Sequence, residues 1–146
     1  MKVVKKLLAP VLVVGLLLTS LVTLHHLKDT KKENVFRIGI SQYITHKSLD
    51  ATRKGFIEEL KKEGYVDGKN IQIDFQNAQG EQRNLKNISK QLAEESDLVF
   101  AIATPSAQSL ANTTKSTPIV FSAVTDPLAA KLVKNLKEPE IGRAHV

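Results

Sequence analysis

Apolar and polar positions divide the chain into a continuous hydrophobic stretch and a longer region of alternating short periods. Lys2, Lys5 and Lys6 precede an apolar run over residues 7–24, interrupted only by Pro10, Gly15, Thr19, Ser20 and Thr23. Positive charge followed by apolar residues is the order of an export signal, with the lysines held on the cytoplasmic side. A cleaved signal needs small residues at its cleavage site, and Leu21-Val22-Thr23-Leu24 offers a poor one. The run is at the lower bound for a spanning helix, and His25, His26, Lys28, Lys31 and Lys32 follow it. An uncleaved membrane anchor is therefore favoured over a cleaved peptide. A cytosolic core helix would need a polar face, which this run lacks. The expected organisation is an anchor or signal over residues 1–27, a polar linker over 28–34, and an extracytoplasmic domain from residue 35.

Beyond the linker the period changes. Residues 35–40 form a short β-branched strand pattern ending in Gly39-Ile40-Ser41. Leu49, Thr52, Phe56, Ile57 and Leu60 then recur at helical spacing, with Ser48 expected as N-cap, Asp50 in the first turn, and Glu58 paired with Lys62. Gly64 supplies the positive-φ residue that ends a helix, and Asp67-Gly68 a turn. Ile71, Ile73 and Phe75 alternate as a second strand. The unit repeats: Leu85, Ile88 and Leu92 mark a helix face, and residues 98–103 a continuously apolar strand. Thr104-Pro105 opens a third helix as cap plus first-turn proline. Residues 119–121 form a fourth strand, and Asp126-Pro127 repeats the same device before a fourth expected helix over residues 128–136. Four alternations of strand and helix predict a doubly wound, Rossmann-like α/β domain with a parallel sheet and helices on both faces. Unbroken apolar runs at 98–103 and 119–124 fit central strands buried on both sides.

Composition narrows the functional classes. The 146 residues include no cysteine, which excludes a disulfide framework, a thiolate metal site, a cysteine nucleophile and a lipid-modified N-terminal cysteine. The formal charge of +6 is unevenly placed: residues 1–34 carry six Lys/Arg against Asp29 and Glu33, whereas residues 35–139 carry fourteen against twelve acids. A nucleic-acid binder concentrates basic charge on its folded domain, so no nucleic-acid partner is expected. The chain lacks a G-x-G-x-x-G turn, a G-x-x-x-x-G-K-[ST] loop and a G-x-S-x-G elbow, and no carboxylate pair or histidine spacing suggests hydrolysis or metal chemistry. His25 and His26 are adjacent, and neighbours on a helix do not face one another. No enzyme activity, metal or cofactor is expected.

In a doubly wound sheet, ligands bind beyond the carboxyl ends of the strands. Three segments occupy those ends: Ser41, Gln42 and Tyr43; Thr104, Pro105 and Ser106; and Ser122, Ala123 and Thr125 leading to Asp126. They are rich in hydroxyls, and two lead into helix N-termini, whose free N–H groups attract a carboxylate. Asp126 is the one acid among them and could pair with an ammonium group. The set suits a small zwitterion better than a polyphosphate. Taken singly, Thr104 and Asp126 are as well explained as helix caps, Tyr43 as a packing aromatic, and His46 as a solvated loop residue. The clustering at one edge carries the assignment.

Four ordered motifs add a family likeness. Phe36-Arg37-Ile38-Gly39-Ile40-Ser41-Gln42, Gly55-Phe56 with the stretch from Leu60 through Gly64, Tyr65, Val66, Asp67, Gly68, Lys69 and Asn70 to Ile71, the Ala103-Thr104-Pro105-Ser106-Ala107-Gln108 segment, and residues 118–127 (PIVFSAVTDP) resemble the substrate-binding proteins of ABC importers, in particular the tryptophan-type, aromatic amino-acid binding proteins of Gram-positive bacteria. The likeness covers roughly residues 35–138. It implies a periplasmic-binding-protein type I-like fold of two lobes, an aromatic amino acid held between them, and delivery to an ABC permease and its ATPase. Residues 35–139 would be the N-terminal lobe, and residues 140–146 look like a non-native tail where relatives continue into a second lobe. With half the cleft missing, millimolar affinity at best is expected. The alternative is a ligand-sensing ectodomain of a membrane-bound receptor built on the same lobe. A repressor core and a Rossmann-like enzyme are disfavoured by the apolar N-terminus and the missing phosphate turn.

Overall fold

The computed structural model describes residues 35–136 and, as backbone, residues 143–145. The element order is β1 (Phe36–Gln42), α1 (Lys47–Lys62), β2 (Ile71–Asn77), α2 (Gln82–Glu95), β3 (Leu98–Ile102), α3 (Thr104–Thr113), β4 (Ile119–Ser122) and β5 (Arg143–His145). The strands form one sheet in the order β2-β1-β3-β4-β5, every neighbouring pair parallel. Parallel neighbours need crossover connections, which α1, α2 and α3 supply from β1 through β4. Among the described residues no helix is long and apolar enough to cross a membrane. The anchor expected over residues 7–24 lies outside the described residues.

The sheet is covered on both faces, as the alternation predicts. On one face Ile38, Ile40, Ile71, Phe100 and Ile102 are buried, with Leu49, Phe56, Ile57 and Leu60 of α1 packed against them. Phe56 stacks on Phe100 with ring centroids 4.1 Å apart. On the other face Val99, Ala101, Ile119 and Phe121 meet Leu92 of α2 and Ala107, Leu110 and Ala111 of α3, joined by Val124, Leu132 and Val133. This second cluster is the tighter one, since α1 contributes no fully buried residue. Gly39 lets α2 approach β1: a Cβ there would sit 2.6 Å from Ser96 Oγ and 3.1 Å from Leu92.

Helix ends show where local chemistry wins. Gly64 takes φ +89°, with Tyr65 N donating to Leu60 O and Gly64 N to Lys61 O, the paired bonds of a left-handed helix stop. The segment that follows, one of the motifs that carry the family likeness, is held by its own side chains. Asn70 accepts from Val66 N at 2.7 Å and donates to Gly64 O at 2.8 Å, and Asp67 accepts from Ile73 N at 2.8 Å.

The helix starts differ from expectation. The cap of α1 is His46, whose Nδ1 accepts from Ser48 N at 3.3 Å, so Ser48 already lies within the first turn. Lys62 pairs with Glu59 at 2.8 Å and not with Glu58. The cap position of α3 belongs to Ala103, at φ 79° and ψ 154°, and Thr104 is the first helical residue. The fourth helix expected at residues 128–136 is a single turn. Ala130 N donates to Asp126 O, then Leu132 N donates to Pro127 O and Lys131 N to Leu128 O, with Lys131 at φ 57°. This is again a left-handed stop. A continuing helix would put Leu128, Leu132 and Leu136 on one face, yet Leu132 is buried while Leu128 and Leu136 are exposed. Turning the chain brings Leu132 and Val133 together into the core, and that burial outweighs helix propagation.

Candidate functional site

The strand order reverses between β1 and β3, because β2 lies on one side of β1 and the later strands on the other. In open α/β sheets the carboxyl ends of the strands at such a reversal, here those of β1 and β3, are where ligands bind. The register places Gln42 beside Ile102 and Ile102 beside Ser122, so the last residues of β1, β3 and β4 form one row. The three segments selected from the sequence therefore leave the sheet at a common edge.

Their polar atoms are unequally engaged. Ser41 and Gln42 are fully buried although they end a strand. Successive strand residues point to opposite faces, so Gln42 shares the α1 face with Ile38 and Ile40, and Ser41 the opposite face. Gln42 Nε2 donates to Ile44 O at 2.9 Å and to Asp50 Oδ1 at 2.8 Å. Gln42 Oε1, Ser41 Oγ and Ser106 Oγ are buried with no hydrogen-bond partner among the described residues, as is Arg53 Nε on α1. Ser106 lies in the first turn of α3 and is likewise fully buried. An unpaired buried polar atom costs about 1–3 kcal/mol, so three at one edge call for an explanation.

The other selected residues are more committed. Tyr43 is half-buried, and its hydroxyl donates to Gly80 O at 2.8 Å, tying β1 to the turn after β2. Thr104 and Pro105 are half-buried at the start of α3, and Ser122 is half-buried at the end of β4, its carbonyl accepting from Ala103 N at 3.0 Å. Ala123 and Thr125 are exposed. Asp126 is exposed, and its Oδ1 accepts from Leu128 N at 3.0 Å and Ala129 N at 2.9 Å. One carboxylate oxygen of Asp126 thus caps the single turn that follows, and Oδ2 makes neither of those bonds.

Sequence reasoning missed two features. Asp50 reads as a helix-dipole acid, yet it also grips Gln42; its position eight residues beyond Gln42 gives no period that signals this. The second is backbone strain: Gln79, Ala103 and Ala123 follow β2, β3 and β4 with φ of 56°, 79° and 58°. Non-glycine residues in such conformations cluster at ligand sites because the surrounding fold must hold them there. Elsewhere, a groove of about 510 Å³ beside α2 and α3 is lined by exposed Lys86, Lys90, Glu94 and Asn112 together with half-buried Ala93 and buried Thr114, and holds none of the unpartnered atoms. Lys62, held above the ordinary lysine range by its hydrogen bond to Glu59, sits at the far end of α1 from Asp50.

A parallel sheet covered by helices on both faces, its order reversing between β1 and β3, defines a Rossmann-like α/β lobe. The family model for ABC transporter substrate binding proteins matches residues 37–142, and the chain belongs to that family. A tyrosine-binding protein of Clostridioides difficile is 52% identical over 112 residues, covering 76% of this chain and 32% of that protein. A Clostridium difficile substrate-binding protein with adhesive properties, solved ligand-free and open, has 49% identity and a TM-score of 0.74, covering 76% of this chain and 38% of its own. A Streptococcus pneumoniae ABC domain in complex with L-tryptophan has 45% identity and a TM-score of 0.72 at the same coverage. The chain thus spans about a third of the length of these relatives.

Proposed function

We propose that this chain forms one wall of an extracytoplasmic binding site for an aromatic amino acid, tryptophan or tyrosine, within an ABC importer that passes the ligand to a membrane permease. The observation that supports the reading is that buried, unpartnered polar atoms, Ser41 Oγ, Gln42 Oε1 and Ser106 Oγ, fall near the carboxyl ends of β1 and β3, where the strand order reverses. Relatives that take tyrosine and tryptophan support the ligand class. The hydroxyls and the first-turn amides of α3 suit a carboxylate, and the open oxygen of Asp126 suits an ammonium group. No catalytic step is involved.

One wall covers only part of a ligand, and water competes for each polar group it offers. The 146-residue chain should therefore bind tryptophan in the millimolar range, near −4 kcal/mol by the standard relation. NMR titration to tens of millimolar is the test. Shifts at Ser41, Gln42 and the amides of residues 103–106 are expected. Asp126→Asn, which keeps the cap, should abolish detectable binding. Shifts confined to other surfaces, or none, would overturn the site.

A further inference from the structure

β2 is the outermost strand on one side of the sheet, and among the described residues no strand pairs with its outer side. Along such a strand, alternate residues turn their N–H and C=O groups to opposite sides. Ala78 N donates inward to Gln42 O, whereas Gly68 N reaches Ile71 O and Asp67 Oδ1 accepts from Ile73 N, both from outside. Ile71, Ile73, Phe75 and Asn77 therefore turn their backbone groups outward. A row of this kind is a template for another chain. Its first half is closed by the turn that precedes it. Asp67 bridges to Ile71, Gly68 N donates to Ile71 O at 2.9 Å, and the Asp67 carboxylate takes up the Ile73 N–H at 2.8 Å. Its second half carries Phe75, an exposed aromatic with the Arg53 guanidinium 4.2 Å from the ring centre.

We infer that Asp67 guards the sheet edge: by occupying the Ile73 N–H it withholds β2 from a second copy of this chain, which would otherwise add antiparallel to it about Phe75. The occupant follows from the strand itself. A strand meets its own copy symmetrically only when the two run antiparallel, and centring on exposed Phe75 sets Phe75 against Phe75. Ile73 then falls opposite Asn77 of the second copy, a pair that needs the N–H Asp67 holds. The Asn77 carbonyl of the second copy would meet a carboxylate there, acceptor against acceptor. Arg53 is a further deterrent. The same symmetry brings one Arg53 from each copy onto one face beside the paired rings. Arg53 Nε is already buried without a partner, and its terminal nitrogen lies 3.9 Å from Asp50, so burying this charge further against its own kind is unfavourable. The guard acts whatever ligand the lobe takes.

Hydrogen exchange on the unmodified 146-residue chain tests the cap, and the Ile73 amide should exchange about tenfold more slowly than the Phe75 amide on the same edge. Equal rates would overturn the guard. Pairing is read by cross-linking, which the absence of any native cysteine makes specific to an introduced one. Symmetric pairing sets the two Cα atoms at position 75 about 5.5 Å apart, within reach of a disulfide. Under an added chemical oxidant, the Asp67→Ala/Phe75→Cys chain should become largely disulfide-linked dimer. Phe75→Cys alone, and Asp67→Asn/Phe75→Cys, which keeps an acceptor oxygen, should stay largely monomeric. With Phe75 intact, Asp67→Ala should show Phe75 amide exchange that slows as protein concentration rises. Linkage in all three cysteine variants alike, as association through residues 7–24 would give, or linkage in none, would overturn the inference. Asp67→Ser, whose oxygen sits one bond short of the carboxylate's, is expected to behave as Asp67→Ala does and takes its place if that variant fails to fold.

Discussion

Between α1 and β2 the side chains of Asp67 and Asn70 are engaged with backbone, whereas at the carboxyl ends of the strands Ser41, Gln42 and Ser106 keep buried polar atoms without partners. Both regions are polar, both are distinctive in sequence, and both contain residues at positive φ. Where positive φ is needed at the first it falls on glycine, Gly64 and Gly68, but at the second on Gln79, Ala103 and Ala123 as well as on Gly80. The first region is thus locally consistent, each residue type matching its conformation. The second violates the same rules repeatedly, and such violations are expected where a protein keeps groups in reserve for a ligand. A distinctive motif is therefore no guide by itself to chemistry. The stretch from Gly64 to Ile71 is as recognisable as the one around Thr104, yet it builds a turn.

The largest stability effect expected from breaking this contrast lies in the satisfied region. Asn70→Ala removes the acceptor for Val66 N and the donor to Gly64 O, two bonds worth about 1 kcal/mol each. Urea unfolding should show a loss of about 2 kcal/mol. Tryptophan contacts at the strand ends should be unaffected once the folded fraction is accounted for. A change in ligand affinity in the folded protein would mean the turn is coupled to the site and the two regions are not separable.

Much of this architecture was legible from the chain because it depends on period. β-branched runs, helical spacing and glycine stops are local signals, and they located β1 to β4, α1, α2, α3 and the edge at which Ser41, Thr104 and Ser122 leave the sheet. What local reading missed depends on partners far apart in sequence. Leu128, Ala129 and Ala130 carry adequate helical propensity, but the turn at Lys131 follows from where Leu132 and Val133 find a core. Thr104 has the side chain of a cap, yet the short path from β3 into α3 puts Ala103 in that position at φ 79°. Which polar atoms stay unpaired is less legible still, since it is set by every neighbour at once. Ser41 and Ser89 are both buried serines, but only Ser89 meets a hydroxyl, that of Ser109 at 2.7 Å.

A matched pair of backbone substitutions sharpens the comparison at a smaller scale. Gly64→Ala meets no atom within 4 Å, so its cost is purely conformational, about 1 kcal/mol for placing a Cβ at φ +89°. Ala103→Gly is the reverse exchange. It releases strain of about 1–3 kcal/mol, partly offset by the larger freedom that glycine has in the unfolded chain. A net gain of about 1 kcal/mol is expected. Thermal unfolding of the two variants should therefore move in opposite directions. If both lose stability, Ala103 makes packing contacts that outweigh its backbone strain, and strain ceases to distinguish the strand ends from the turn.

The smallest effect is the most specific to the site. Ser106 Oγ is buried in the first turn of α3 with no partner, so the folded state bears its desolvation without a compensating bond. Ser106→Ala removes that atom and leaves a gap of a single oxygen. Stability should rise, by at most about 1 kcal/mol, because the lost packing is slight beside the lost desolvation. The same substitution should weaken tryptophan binding, since the hydroxyl is one of the groups the ligand would satisfy. Opposite signs in unfolding and in titration are the signature of a group held in reserve, and no residue of the turn between Gly64 and Ile71 should show them. If Ser106→Ala loses stability, its hydroxyl is already satisfied by bound water in the free protein. Ser106 would then belong with Asp67 and Asn70, and the strand ends would hold two unpartnered atoms in place of three.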